Sequence, residues 1–260
     1  MRPVNLAVFV NELADLSGQA ILPFFRTHLA AEDKSAGGAF DPVTEADRVA
    51  EAVMRRRIRD AFPDHGIVGE EFGTEGEGAE YTWVLDPIDG TRAFMAGLPL
   101  WGTLIGLLRN GVPAYGMMHQ PFLRERFVGD GGGAWLQGPG GRSALATRRC
   151  RGIGDALLST TSPRLFAAAE LPAFERVERA AKLTRFGYDC YAYAMLAAGH
   201  IDLVVDAGLK PYDIVALIPV IEGAGGIVTS WDGGSAAAGG TVVASGDRRL
   251  HDDVLRLLTG

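Results

Sequence analysis

One stretch constrains the chain more than any other: Trp83-Val84-Leu85-Asp86-Pro87-Ile88-Asp89-Gly90-Thr91. An apolar run ends abruptly in two aspartates three residues apart, and Gly-Thr follows. A strand that delivers paired carboxylates and then turns sharply suits Mg²⁺ held beside a phosphate. Hard divalent cations take oxygen ligands, and Mg²⁺ combines a few carboxylates with water and substrate phosphate.

The rest of the chain sets bounds. Its 260 residues can bury a sizeable core, as one large domain or two intimate subdomains. A net charge of −7 argues against nucleic acid as partner, because neutralising phosphates needs basic clusters. The dense cluster Arg55-Arg56-Arg57 with Arg59 falls in a helical stretch and reads as a solvated face. Cys150 and Cys190, the chain's two cysteines, cannot build a Cys-rich zinc site and fit a reducing compartment. No apolar stretch reaches the ~20 residues needed to span a bilayer. Glu12 and Asp15 interrupt the N-terminal apolar pattern, unlike a signal peptide. These features predict a cytoplasmic protein with no membrane partner.

Leu6, Phe9, Leu13, Leu16, Ala20 and Phe24 recur at three- and four-residue steps and predict a long first helix, which Pro23 should kink or end. A loop is expected over 32–40, a helix over 44–61, a short strand at 67–69 and a loop over 72–80. Buried strands are expected at 81–85 and 103–108. Asn110-Gly111 predicts a hairpin into a strand over 112–118. Beyond residue 150, strands (156–160, near 183, 201–205, 227–229, 241–244) alternate with helices (to 181, 189–198, 212–222, 248–258). The pattern predicts one unit over 1–260, α+β over about 1–147 and α/β over 148–260.

Three acidic clusters fall at element ends: Glu70-Glu71, Asp86 with Asp89, and Asp213. Brought together by the fold, they and a backbone carbonyl could hold two or three ions. Gly90 and Thr91 could bind phosphate through N–H groups at a helix start. The Thr91 hydroxyl could orient a water, with Asp47 as the neighbouring base. Each residue also has an ordinary structural use. Asp86-Pro87 and Asp89-Gly90 are common turn dipeptides, Asp213 could cap a helix, and Thr44 with Asp47 resembles a capping box.

Glu70-Glu71, the 83–91 stretch and Pro211-Tyr212-Asp213 together resemble the inositol monophosphatase-like, Mg²⁺-dependent phosphatases, along nearly the whole chain. Tyr212 stands where that family usually has Trp. The resemblance implies a layered αβαβα fold, commonly as a homodimer. It implies two or three Mg²⁺ held by Glu70, Asp86, the Ile88 carbonyl, Asp89 and Asp213. Catalysis would fall to Asp47, Thr91 and Glu70, and phosphate binding to the N–H groups of Gly90 and Thr91. Arg92, next in the chain, could contact phosphate or pair with an acid.

Within that family, the stretches 40–47, 91–97 running on to 101–105, and 189–200 with 208–213 are similar to histidinol-phosphate phosphatases. Such a substrate carries an amine and an imidazole, so acidic residues beyond the metal set would help; Asp189 and Asp206 are the candidates. Inositol phosphate and 3′-phosphoadenosine 5′-phosphate are the alternative substrates. A non-catalytic metal- or phosphate-binding protein is the alternative from another class.

Overall fold

The computed structural model describes residues 5–27, 32–33, 42–43 and 45–260. Helix α1 (Leu6–Ile21) starts where the Asn5 side chain accepts the Val8 N–H at 3.3 Å, a side-chain N-cap. It ends in a single 3₁₀ turn over Leu22–Phe24 that contains Pro23. Strand β1 (Glu32–Asp33) pairs antiparallel with β2 (Pro42–Val43). The rest of the loop expected over 32–40, and the cap expected at Thr44, lie outside the described residues. Helix α2 covers Glu45–Ala61.

Next come β3 (Gly66–Gly69), β4 (Gly73–Glu75), β5 (Tyr81–Asp89), the short α3 (Thr91–Met95), β6 (Gly102–Arg109) and β7 (Val112–Gln120). Then follow β8 (Glu125–Gly129), β9 (Ala134–Gly138) and β10 (Gly141–Ala144). Among the described residues these strands form an eight-stranded sheet, ordered β10-β9-β8-β7-β6-β5-β3-β4. Strands β3 and β5 run parallel, and their neighbours antiparallel. Asn110 and Gly111 both take positive φ, 51° and 77°, as a two-residue hairpin turn matching strand twist requires.

The second half contains β11 (Leu157–Thr160), α4 (Leu171–Ala180), β12 (Leu183–Phe186), α5 (Asp189–Ala197) and β13 (Leu203–Leu209). After them come α6 (Pro211–Ile214), α7 (Leu217–Gly223), β14 (Ile227–Thr229), β15 (Gly240–Ser245) and α8 (Arg248–Thr259). Its five-stranded sheet is ordered β12-β11-β13-β15-β14, with β11 parallel to both neighbours.

Alternation along the strands explains the stacking, because successive side chains point to opposite faces. Phe9 and Leu13 of α1, with Met54 and Ile58 of α2, pack on Trp83, Leu85 and Ile105. The other face of that sheet gives Leu104, Met118 and Phe127 to a core shared with Leu196, Leu217 and Val220 of α5 and α7. Val204 and Val242 of the smaller sheet close that core. Leu203 and Val205 face outward to Phe174 of α4 and Leu250 and Val254 of α8. Burying each such side chain contributes about 1.5–3 kcal/mol. The layers run αβαβα, the mixed fold the sequence predicts.

Four details differ from expectation. Residues 72–80 contain β4, held against β3 at a sheet edge. The helix expected over 212–222 is two helices, α6 and α7. Strand β13 runs on to Leu209 through an irregularity after Asp206, so Asp206 lies inside a strand rather than after it. The arginine cluster is not a uniformly solvated face. Successive helix residues point about a third of a turn apart, so Arg55 is buried while Arg57 and Arg59 pair outward with Glu12 and Glu75.

Candidate active site

Asp86 and Asp89, three residues apart, would point to opposite faces of a regular strand. Strand β5 avoids this. Asp86 pairs with Leu104 and Asp89 with Gly102, so one extra residue is inserted between them. Such a bulge re-aims the residues around it and tolerates the missing Pro87 N–H. The Thr103 hydroxyl fixes the bulge by donating to the Pro87 carbonyl at 2.8 Å. Gly90 then turns the chain at φ 90°. A Cβ there would meet the Leu100 carbonyl oxygen at 2.8 Å, so both conformation and space demand glycine. Helix α3 opens at Thr91, whose hydroxyl donates to the Ile88 carbonyl at 3.0 Å.

Asp213 arrives from the second half, in the first turn of α6, where its Oδ2 accepts the Lys210 N–H at 2.6 Å. It closes the turn from inside the helix rather than from the N-cap position. One carboxylate oxygen from each of Asp86, Asp89 and Asp213 lies within 4.8 Å of the others. These residues line a cleft of about 340 Å³ together with Glu70, Ile88, Gly90, Thr91, Arg92 and Asp189. Asp47, in the first turn of α2, is 2% exposed, and its charge acts on Asp86.

The electrostatics are those of a site built for cations. Burial, then the charges of Glu70, Asp89, Asp213 and Asp47, hold the Asp86 carboxyl well above the usual carboxylate range. Burial, then Asp189 and Asp213, do the same to Asp89, opposed by hydrogen bonding from Cys190. Asp86 Oδ1 is buried with no hydrogen-bond partner among the described residues. Buried anionic oxygens are costly unless paired or bound to metal. Converging carboxylates with an unsatisfied oxygen therefore fit a hard divalent cation.

The substrate-facing expectations divide. Asp189 lines the cleft, on a residue with φ 44°, and its carboxyl is raised to about 6 by burial and by Asp206 against the pull of Arg92. Asp206 does not line the cleft. It is 2% exposed. Its Oδ1 accepts from the Thr160 hydroxyl at 2.8 Å and the Thr161 N–H at 2.7 Å, and its Oδ2 from the Tyr193 hydroxyl at 2.9 Å. Both oxygens are thus engaged inside the protein, and Asp206 sits behind the wall at Thr161 rather than on the cleft, against the expectation of direct contact.

Two features were missed in the sequence. The Cys190 N–H, near the start of α5, donates to Asp89 Oδ2 at 2.6 Å; a backbone donor carries no residue signature. Glu51 and Arg55 form a buried pair behind Glu70. Their four-residue spacing within one helix was the available signal.

The sequence profile of the Inositol monophosphatase family matches residues 4–259. The chain belongs to the inositol monophosphatase family. This family member is 45% identical over 266 residues to "Bifunctional phosphatase IMPL2, chloroplastic" of Arabidopsis thaliana, over 98% of this chain and 75% of that one. It is 34% identical over 247 residues to a histidinol-phosphatase of Chlorobaculum parvum, over 94% and 93% of the two chains. An inositol monophosphatase from Zymomonas mobilis superposes with a TM-score of 0.86 at 40% identity, over 96% of both chains. Membership makes the protein a phosphatase for a small phosphorylated substrate, in a family that generally depends on metal. Among the described residues no helix is long and apolar enough to cross a membrane.

Proposed function

We propose that the protein hydrolyses L-histidinol phosphate to L-histidinol and inorganic phosphate, as a step of histidine biosynthesis. The carrying observation is the cluster of Asp86, Asp89 and Asp213 beside Gly90-Thr91, with a further acid, Asp189, in the same cleft. Relatives named as histidinol-phosphatases support the choice of alcohol.

Glu70, Asp86, the Ile88 carbonyl, Asp89 and Asp213 would hold the metal, two or three Mg²⁺ per site. Bound there, Mg²⁺ supplies a Lewis acid that makes water more acidic and offsets phosphate charge. The N–H groups of Gly90 and Thr91, in the helix turn that lacks internal acceptors, face the phosphate oxygens, and Arg92 adds positive charge at the rim. Thr91, its proton committed to Ile88, accepts a hydrogen bond from the attacking water and orients it. Asp47 receives the water's proton, and Glu70, which lines the cleft, assists. Water oxygen bonds to phosphorus as the bond to the alcohol oxygen breaks, and the departing oxygen takes a proton from solvent water to leave as L-histidinol. The ionised Asp189 attracts the substrate's ammonium and imidazole.

This reading treats residues 1–260 as one catalytic unit, since Asp213 and Asp189 come from the second half and the remaining site residues from the first. It places the protein in the cytosol as a homodimer. Phosphate release from histidinol phosphate, inositol 1-phosphate and 3′-phosphoadenosine 5′-phosphate, with Mg²⁺ and with chelator, tests the function. Metal-dependent turnover greatest for histidinol phosphate is expected. Preference for another monoester overturns the substrate, and no turnover of any overturns the enzyme.

A further inference from the structure

Helix α2 carries three buried polar residues at four-residue steps, Asp47, Glu51 and Arg55, exposed 2%, 0% and 2%. The spacing places them on one helix face. Asp47 already has a role at the cleft in the reading above. Glu51 and Arg55 are directed at a different target, the chain just after Glu70.

Glu51 Oε2 accepts the Glu71 N–H at 2.7 Å, and its Oε1 accepts the Phe72 N–H at 3.2 Å. The Arg55 Nε donates to the same Oε1 at 2.6 Å. The Arg55 guanidinium continues onto the Gly73 carbonyl and lies 3.4 Å from Glu75. On the other side, the Glu70 N–H donates to the Leu85 carbonyl at 3.3 Å. Every backbone position from 70 to 73 is thus tied either to β5 or to α2. The fit leaves no slack: a Cβ on Gly69 would sit 2.0 Å from Glu51 Oε1.

Burying a carboxylate and a guanidinium is costly, and it is repaid only when geometry is good and the remaining lone pairs and protons are satisfied. Here the bonds go to three consecutive residues following one carboxylate that lines the cleft. Glu70 lines the same cleft as Asp86, Asp89 and Asp213, so its placement matters to the whole cluster. A plain helix-to-loop staple does not require bonds concentrated at this point.

We propose that Glu51 and Arg55 are positioning residues for Glu70, their buried pair fixing segment 71–73 so that the Glu70 carboxylate stays at the cleft. The proposal rests on the reading of Glu70 as a metal ligand. It makes α2 a single rigid part that sets both Asp47 and Glu70.

The test uses Mn²⁺ as probe, its free concentration read by electron paramagnetic resonance on the substrate-free protein. Wild type, Glu51→Gln, Glu70→Gln and the double variant form a cycle. A glutamine offers one acceptor oxygen where the carboxylate used two. Glu51→Gln should weaken Mn²⁺ binding about 10–100-fold, the usual cost of losing an outer-shell partner, and should speed amide exchange at 71–73. The double variant should bind no more weakly than Glu70→Gln alone. Wild-type affinity in Glu51→Gln, or losses that add in the double variant, overturns the proposal. Wild-type affinity in Glu70→Gln instead overturns the ligand reading and removes the proposal with it, so the silent single variant shows which has failed. Should Glu51→Gln fail to fold, Arg55→Lys takes its place in the same cycle. It keeps the buried charge and loses the fork onto Glu51 and Gly73.

Discussion

The Cys190 N–H donates to Asp89 Oδ2 at 2.6 Å, across 101 residues of chain. The start of α5 thereby holds a carboxylate that β5 delivers, and the two halves of the molecule meet at the carboxylate cluster. The donor is backbone, so the thiol is dispensable for it. Cys190→Ala is expected to keep kcat within about threefold while losing on the order of 1 kcal/mol of stability from the small cavity it leaves. Urea denaturation and initial rates check both. A hundredfold loss of kcat at unchanged stability would show that the sulfur itself is engaged.

The carboxylate cluster predicts a trade between metal binding and metal-free stability. Burial and four neighbouring charges raise the folded-state value of Asp86. A raised carboxyl stabilises the fold fully below its unfolded value near ~3.9 and loses that contribution as pH rises through the folded value. At neutral pH the metal-free fold therefore bears the strain. Asp86→Asn should raise the melting temperature of the metal-free protein, by roughly 2–4 °C for each kcal/mol relieved. It should also abolish the rise expected of the wild type with Mg²⁺, which follows from the proposed binding to the native state alone. Melting scans with chelator and then Mg²⁺ measure both, and a lower metal-free melting temperature for Asp86→Asn contradicts the account.

Legibility in the sequence followed how far apart the cooperating residues are. Asp86 to Thr91 could be read because ligands, turn and helix start are contiguous. The hairpin at Asn110-Gly111 and the helix over 248–258 were legible for the same reason. Asp206 was misplaced because the apolar run stops at Val205, whereas β13 continues through an irregularity, and only the tertiary fold shows Tyr193 and Thr160 engaging its oxygens. Arg55 was read with its neighbours, but its partner Gly73 lies 18 residues on. The bulge that brings Asp86 and Asp89 together depends on pairing with β6, which local sequence does not display.

Asp189 should discriminate by the alcohol, not the phosphate. Its carboxyl, raised to about 6, is ionised at neutral pH and can attract a cation. Asp189→Asn should lower kcat/KM for histidinol phosphate about tenfold, equal to about 1.4 kcal/mol. Glycerol phosphate, whose alcohol is neutral, should change by less than about threefold. Below pH about 6 the wild type becomes protonated as well, so the gap between the two proteins should close. Rates for both substrates across this range check it, and an equal loss on both substrates would assign Asp189 to the phosphate or metal instead.

Two buried histidines predict acid sensitivity away from the cleft. His119 is lowered from 6.5 to about 4 by burial and then Arg126, while its Nδ1 lies 3.2 Å from the Glu125 carbonyl. His251 is lowered from 6.5 to about 4 by burial and then Arg248, and its ring bridges Thr229 and Ser245. A depressed folded-state value means that the unfolded chain takes up protons first as pH falls. Stability should therefore be full above 6.5 and be lost progressively down to about 4, by about 1–3 kcal/mol for each histidine. The raised carboxyls of the cleft act in the opposite direction, so the measurement is a difference. Urea midpoints of the wild type should fall more steeply over this range than those of the double variant His119→Gln/His251→Gln. The carboxylate contribution is common to both proteins and cancels. Parallel pH profiles would show that neither ring stays neutral in the fold.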